Sequence, residues 1–177
     1  ITFMRQIYWH FDKISSHSDY VAYVNKRLID LRKDIGVLTK DEKFPIIPIG
    51  TEKFDIKLEQ KKDIVFGFIG VLKQSHGLDL IFDNAGDIMK NFPKARLEVI
   101  GSGPDEIYFK KRAKESLIPT RFNGYMEGDT FIGVLKKCSI GIAGYVPDKS
   151  NVSHYGDPGK VKLYISLGIP VIITNVV

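Results

Sequence analysis

The sequence predicts an α/β domain built on a doubly wound parallel sheet. Three observations carry that expectation. Apolar runs recur from residue 64 onward, and several are nearly continuous instead of alternating, which marks strands buried on both faces. Segments of helical periodicity separate the runs, so each pair of parallel strands has the crossover it needs. Glycines gather just after the runs, at the carboxyl ends where such sheets bind ligands.

The elements follow in order. Asp19–Val24 reads as a strand, and Asn25 is a good N-cap for a helix through about Lys33. Phe44–Gly50 reads as a short buried strand leading to a turn. Thr51–Asp63 is polar and carries charges of both signs, as a linker into the larger domain does. The main runs are Ile64–Ile69, Ala95–Ile100, Ser139–Ala143 and Pro170–Ile173, with Pro119–Phe122 a weaker strand. From Leu78 to Phe92, the residues Ile81, Ala85, Ile88, Met89 and Phe92 draw one apolar helix face, which Pro93 ends. Asp105–Leu117 opens acidic and continues basic, complementing a helix dipole. Phe131, Val134 and Leu135 repeat the helical pattern with Asp129 as N-cap, and Val161, Tyr164 and Ile165 give a last short helix before Gly168.

Composition narrows the function classes. The chain of 177 residues has a net charge of +5, from 26 basic and 21 acidic residues. The basic residues are scattered and form no Arg-rich stripe with interleaved aromatics, so nucleic acid is not the expected partner. A mild positive field suits an anionic small ligand or an anionic membrane surface. The lone cysteine, Cys138, excludes an internal disulfide and a cysteine metal cluster. The histidines lack zinc-site spacing, so no metal is expected. No apolar run is long enough to span a bilayer. The chain begins at Ile1 and stops just after an apolar run, as a fragment would.

Four loops could carry chemistry. The first main run ends in Gly70-Val71-Leu72-Lys73-Gln74-Ser75-His76-Gly77. Glycine there lets backbone approach a phosphate, and Lys73 and His76 could add charge. The loop matches neither the dinucleotide fingerprint nor the P-loop, so an ordinary strand-to-helix turn explains it equally well, with His76 as a cap. The second run ends in Gly101-Ser102-Gly103-Pro104, which also suits a plain tight turn. Gly124-Tyr125 follows the weaker strand, and Tyr125 could cover a flat base or simply pack. The stretch Tyr155-Gly156-Asp157-Pro158-Gly159-Lys160 is the most informative. A lysine in the first turn of a helix opposes the dipole, and a bound anion would justify it. In the bland alternative Asp157 is an N-cap and Lys160 a solvated lysine.

In this order the pieces resemble the second domain of group 1 (family 4) glycosyltransferases of the two-Rossmann-domain GT-B architecture. The landmarks are Pro48-Ile49-Gly50, Phe68-Ile69-Gly70 with His76-Gly77, and Val99-Ile100-Gly101-Ser102-Gly103-Pro104. Further along come Phe122-Asn123-Gly124-Tyr125, Cys138–Ala143, and Pro158-Gly159-Lys160 with Leu163-Tyr164 and Gly168-Ile169-Pro170-Val171-Ile172. The resemblance implies a Rossmann-like donor-binding domain over 51–177, truncated at its end, with 1–50 as the tail of the acceptor domain. It also implies transfer of a sugar from a UDP- or GDP-sugar type donor to an acceptor hydroxyl, with retention and without a cofactor or bound metal. Gly70 and Gly77 would approach the donor phosphates, with Lys73 and His76 neutralising them and Gly101 and Gly103 beside them. Gly124 and Tyr125 would lie near the base. Lys160 and the backbone of Gly156 to Gly159 would hold phosphates and sugar.

The sequence departs from the family at informative places. Val71 and His76 stand where many members have arginine and lysine. The family's paired glutamates fall on Tyr155 and Leu163, which leaves Asp157, Tyr155 and Lys160 as the catalytic candidates. The resemblance further implies a glycan or lipid-linked acceptor in surface polysaccharide synthesis, cytoplasmic action with peripheral contact at the inner membrane face, and no turnover by this chain alone. Two other readings fit the same residues. One is a catalytically degenerate nucleotide-binding partner, which the missing glutamates favour. The other is a GT-B-type nucleotide-sugar epimerase, which would need a buried acid and histidine constellation.

Overall fold

A computed structural model describes residues 3–15, 17–38, 44–54, 62–148 and 152–175. The chain forms two compact units, Ile1–Ile49 with Tyr155–Asp157, and Gly50–His154 with Pro158–Val177. The central part of the expected linker, from 55 to 61, lies outside the described residues.

The second unit is the doubly wound domain. Strands β1 (Val65–Ile69), β2 (Arg96–Ile100), β3 (Thr120–Phe122), β4 (Ile140–Ala143) and β5 (Val171–Ile173) form one sheet in the order β3-β2-β1-β4-β5. Every pairing is parallel. The chain winds outward through β2 and β3, then returns to the other side of β1 for β4 and β5. The order therefore reverses between β1 and β4, the switch point at which such sheets open a crevice.

Helices α3 (Asp79–Asp83), α4 (Ala85–Asn91), α5 (Glu106–Glu115), α6 (Gly128–Leu135) and α7 (Gly159–Ser166) connect the strands. All five residues of β1 are buried, as its continuous apolar run requires. Alternation along β1 divides the core. Phe66 and Phe68 join Ile81, Phe82, Ala85 and Phe109 in one cluster, on the side of α3 to α5. Ile69 joins Leu135, Tyr164 and Leu167 in a second cluster, on the side of α6 and α7. The sheet is thus covered on both faces.

Tyr164 seats α7 on the sheet. It is fully buried, and its hydroxyl donates to the Gly67 carbonyl at 2.8 Å. A Cβ on Gly141 would lie 2.5 Å from the Tyr164 ring, so only glycine in β4 leaves the ring its place. Burial raises the phenol pKa far above its ordinary value, so the hydroxyl stays a donor. Close backbone approaches explain other glycines. Gly77 has φ +70 and its Cβ would fall 1.4 Å from the Gly144 oxygen, while Gly101 has φ +130 and its Cβ would fall 2.0 Å from the Gly70 oxygen.

The first unit holds α1 (Phe3–Ser15) and α2 (Lys26–Asp34). Asn25 caps α2 as expected, its side chain accepting from the Leu28 N–H at 2.9 Å. Ile29, Val37 and Leu38 form a small core with Tyr23 and Phe44. Arg32 bridges to Asp12 at 2.5 Å.

Several expectations are corrected. Neither Asp19–Val24 nor Phe44–Gly50 is a strand. They meet only in an isolated parallel bridge, Tyr23 to Ile46. Tyr23 N–H donates to Pro45 O and Ile47 N–H to Tyr23 O, but Pro45 and Pro48 have no N–H to extend the ladder. Ile46, Ile47 and Ile49 are exposed, not buried. The single helix expected from Leu78 to Phe92 breaks at Asn84, whose side-chain amide takes the Leu80 carbonyl at 2.8 Å. Glu127, not Asp129, precedes the first turn of α6, and Asp129 lies inside it. Pro158, not Asp157, is the N-cap of α7. Helix α1 was not expected, because its apolar residues are mixed with charges and no cap signal opens it.

The packing predicts opposite outcomes for two glycines. Gly141→Ala forces the Tyr164 ring off its seat and is expected to destabilise the fold by about 1–3 kcal/mol. Gly86→Ala lies in α4 with open space around the new Cβ and is expected to stabilise by roughly 0.5–1 kcal/mol. Urea denaturation of the two variants beside the parent measures both.

Candidate functional site

A cleft of about 570 Å³ opens at the carboxyl ends of the strands. The β1 tip contributes Ile69, Gly70 and Val71, and the β2 tip contributes Ile100, Gly101 and Ser102. Tyr125 and Met126 follow β3, Phe131 comes from α6, and α7 supplies Lys160 and Leu163. The strand-tip turns are bonded to each other, which fixes their shape. Gly70 N–H donates to Ile100 O at 3.0 Å, Gly101 N–H to Gly124 O at 2.7 Å, and Leu72 N–H to Ser102 O at 2.9 Å.

Lys160 is the one charged side chain in the described lining. Its position follows from Tyr164. Residues four apart share a helix face, so the seat that buries Tyr164 also turns Lys160 toward the sheet, one turn nearer the strand tips. Its Nζ lies 4.5 Å from the Phe68 ring centre and 4.8 Å from that of Tyr145. A Cβ on Gly70 would stand 3.4 Å from Nζ, so the bare strand tip leaves the ammonium its room. Nζ is buried and has no hydrogen-bond partner among the described residues. Burial pushes its pKa down to about 8. The aromatic faces offset part of the lost hydration, but an ammonium has three donors to satisfy. An arriving anion would satisfy them.

The other expected residues fall into separate groups. Gly70 and Gly101 line the cleft with Lys160 and Tyr125. Gly77, Gly101 and Gly103 owe their glycine identity to backbone packing, against Gly144, Gly70 and Leu72 respectively. Tyr125 is 72% exposed, and its hydroxyl is bonded to Glu127. Lys73 is exposed and lies outside the lining, as does Gly124. His76 is half-buried, with Nδ1 donating to the Val71 carbonyl at 2.9 Å and its ring edge-on to Tyr145. Burial first, and then the Lys160 charge, hold its pKa below the ordinary histidine value. Both causes disfavour its charged form.

Tyr155, Gly156 and Asp157 do not line the cleft. They belong to the first unit, where the Asn25 amide donates to the carbonyls of Tyr155 and Gly156 and Ile49 N–H donates to Asp157 Oδ2 at 2.6 Å. Gly159 is the exposed first residue of α7. Sequence reasoning missed Phe68 and Tyr145, the aromatic walls around Lys160. Position just beyond β4 was the available signal for Tyr145, which is 7% exposed and whose hydroxyl pKa burial raises to about 12. Among the described residues no group of His, Cys, Asp and Glu could hold a metal ion, and no helix is long and apolar enough to cross a membrane.

The buried ammonium opposes folding. A fall in pKa from 10.5 to about 8 corresponds to a cost of roughly 3 kcal/mol at neutral pH. Between pH 8 and 10.5 the unfolded chain holds the proton and the folded one does not, so this cost fades as pH rises through that window. Lys160→Met is therefore expected to be more stable than the parent at pH 7 without ligand. The gap should close toward pH 10.5, which denaturation curves across pH would show.

Comparison with known proteins gives the family and the fold. The family model for glycosyl transferases group 1 matches residues 50–144, more than half of the chain. No curated protein matches the chain by sequence. Among solved structures, S. aureus TarM, in complex with UDP, superposes with a TM-score of 0.72 at 13% identity, covering 94% of this chain and 32% of TarM. WaaG, a glycosyltransferase involved in lipopolysaccharide biosynthesis, gives 0.66 at 16% identity, covering 88% of this chain and 44% of WaaG. The catalytic domain of the cholesterol-α-glucosyltransferase of Helicobacter pylori gives 0.52 at 20% identity, covering 65% and 67%. The likeness to these structures is one of fold, and the chain spans only about a third of TarM and less than half of WaaG. With the family model over β1 to β4 and a parallel Rossmann-like domain to match, the chain belongs to the group 1 glycosyl transferases.

Proposed function

We propose that this chain is the donor-binding half of a retaining glycosyltransferase, which transfers a sugar from a nucleotide diphosphate to an acceptor hydroxyl in surface glycan synthesis. The observation that carries the reading is Lys160, a buried cation with no hydrogen-bond partner among the described residues, at the strand tips of the switch point. Neighbours of the same fold support it, since TarM, a pneumococcal O-GlcNAc transferase and Anabaena HepE were each solved with UDP.

In this reading the diphosphate lies over the tips of β1 and β2, against Lys160. The bond from the anomeric carbon to the diphosphate oxygen breaks as the acceptor oxygen bonds to that carbon on the same face, as retention requires, and the hydroxyl proton passes to the leaving diphosphate. Negative charge grows on the leaving diphosphate, and a preorganised ammonium in a water-poor site stabilises it. Gly70 keeps the approach open, and Tyr125 on the outer wall offers a flat face to the base. A glycan or lipid-linked acceptor would bring the protein to the inner membrane face. Both reacting groups must be held in place for turnover, so the chain alone is expected to bind donor without transferring sugar.

A second reading, a nucleotide-binding partner without catalysis, draws on Leu163, an apolar wall residue where the family carries an acid. Calorimetric titration with UDP, GDP and ADP separates the two from no function at this site. One nucleotide should bind, and Lys160→Ala should weaken it by tenfold or more, about 1.4 kcal/mol. Binding by none of them would remove the donor-site reading. Raising the pH from 7 to 9 should also lower the affinity about tenfold, because a lysine with pKa about 8 is then mostly uncharged. A lysine of ordinary pKa would show no such loss.

A further inference from the structure

We propose that Asn25 is a positioning residue for Lys160. By holding the carbonyls of Tyr155 and Gly156, it fixes the chain from which the first turn of α7 starts. The inference rests on the donor-site reading and adds a residue outside the cleft lining on which that site depends.

Asn25 uses its whole side-chain amide. Oδ1 accepts from the Leu28 N–H at 2.9 Å and caps α2. Nδ2 donates to Tyr155 O at 2.9 Å and to Gly156 O at 3.0 Å. An amide nitrogen has two hydrogens to give, and both go to this one stretch of backbone. The next residue is held as well, since Asp157 Oδ2 accepts from Ile49 N–H at 2.6 Å. Pro158 and Gly159 alone separate the tied stretch from Lys160.

The start of α7 needs such a tie. The N–H groups of a first turn have no partner inside the helix, and a helix end without a cap frays. Pro158 stands at the N-cap and makes no side-chain cap bond. Gly159 then opens the helix with the least restricted kind of backbone. The anchor of α7 on the sheet, Tyr164, lies a full turn beyond Lys160. Lys160 therefore sits in the turn that frays first. Fraying would carry its ammonium to water, away from Phe68 and Tyr145, and the tie keeps it against them.

A frayed lysine and a seated one differ in how they titrate, because hydration favours the charged form. The titratable groups around Lys160 leave a clear window. Burial raises the Tyr145 hydroxyl to about 12, and His76 is held below the ordinary histidine value. The hydroxyls of Tyr125 and Tyr164 are raised above the ordinary phenol value. Between pH 7 and 9 a titration at this place therefore reads Lys160.

The test is Asn25→Ser. Serine caps a helix about as well as asparagine, so α2 keeps its cap while both amide donors are lost. In NMR titrations with side-chain-labelled lysine, and Lys160→Met to identify the signal, Lys160 of the parent should titrate at about pH 8. In the variant it should titrate higher, toward the ordinary lysine value. In calorimetry with whichever of UDP, GDP and ADP the parent binds, the variant should bind about threefold or more weakly at pH 7, because apparent affinity scales with the fraction of chains that hold the lysine in place. At pH 9 the gap should narrow, since the parent has lost the charge and the variant has kept it. Ile29→Val softens the small core beside α2 but keeps the amide, and should change neither reading. An unmoved Lys160 titration in folded Asn25→Ser would overturn the inference. So would an affinity loss equal at both pH values, or the same shifts in Ile29→Val. Asp157→Ala frees the same stretch from its other tie and is read in the same ways, so the inference stays testable if the serine variant does not fold. A parent that binds none of the nucleotides would remove the donor-site reading, and the NMR titration would still judge the tie.

Discussion

Everything at the site depends on the seat of one side chain. Tyr164 is buried against Gly141 of β4, and its hydroxyl donates to the Gly67 carbonyl of β1. An aromatic ring against bare backbone has few alternative positions, because a packed interior gives way only at a cost. The hydroxyl adds direction, since it must find its acceptor once buried. The ring and its bond thus fix the rotation and height of α7 on the sheet. A helix so fixed carries Lys160 to the strand tips without further choice. Leu163, beside Tyr164, goes to the cleft wall for the same reason.

The strand-tip glycines form a second layer of constraint. Gly77 meets Gly144, Gly101 meets Gly70, and Gly103 meets Leu72, each at a distance that excludes a Cβ. Such contacts draw the loops after β1, β2 and β4 together and let their backbone groups bond across the tips. The glycines therefore shape the cleft chiefly by holding its floor. Gly70 differs, because the atoms nearest its missing Cβ belong to Lys160. There the absent side chain leaves space for the charge.

Lys160 shows the tension between stability and function. An ammonium among Phe68, Tyr145 and backbone has lost hydration that ring faces only partly replace. Its lowered pKa records that loss. A fold tolerates an unsatisfied charge at a place where a ligand completes it. His76 belongs to the same tension, since the nearby ammonium and its own burial both disfavour its protonation. An anion at the site would favour the charged form of both.

Local pattern was enough for much of the architecture. The four main runs became β1, β2, β4 and β5 and the weaker one became β3, and β1, whose apolar run is continuous, is buried along its whole length as a sheet covered on both faces requires. Asn25 capped α2 because a cap is a local bond. Where partners far along the chain decided the outcome, pattern failed. Asp19–Val24 and Phe44–Gly50 look like strands, yet prolines on one side leave them a single bridge. Tyr155, Gly156 and Asp157 read as part of one phosphate loop with Lys160, but their bonds go to Asn25 and Ile49. The sequence by itself determined the parallel sheet, the family landmarks and a lysine placed against its own helix dipole. Only the tertiary structure decided that this lysine is buried without a hydrogen-bond partner among the described residues, that Tyr145 and Phe68 surround it, and that Gly77, Gly101 and Gly103 serve packing. Burial and close approach are properties of residues brought together across the sheet, and no local window contains both partners.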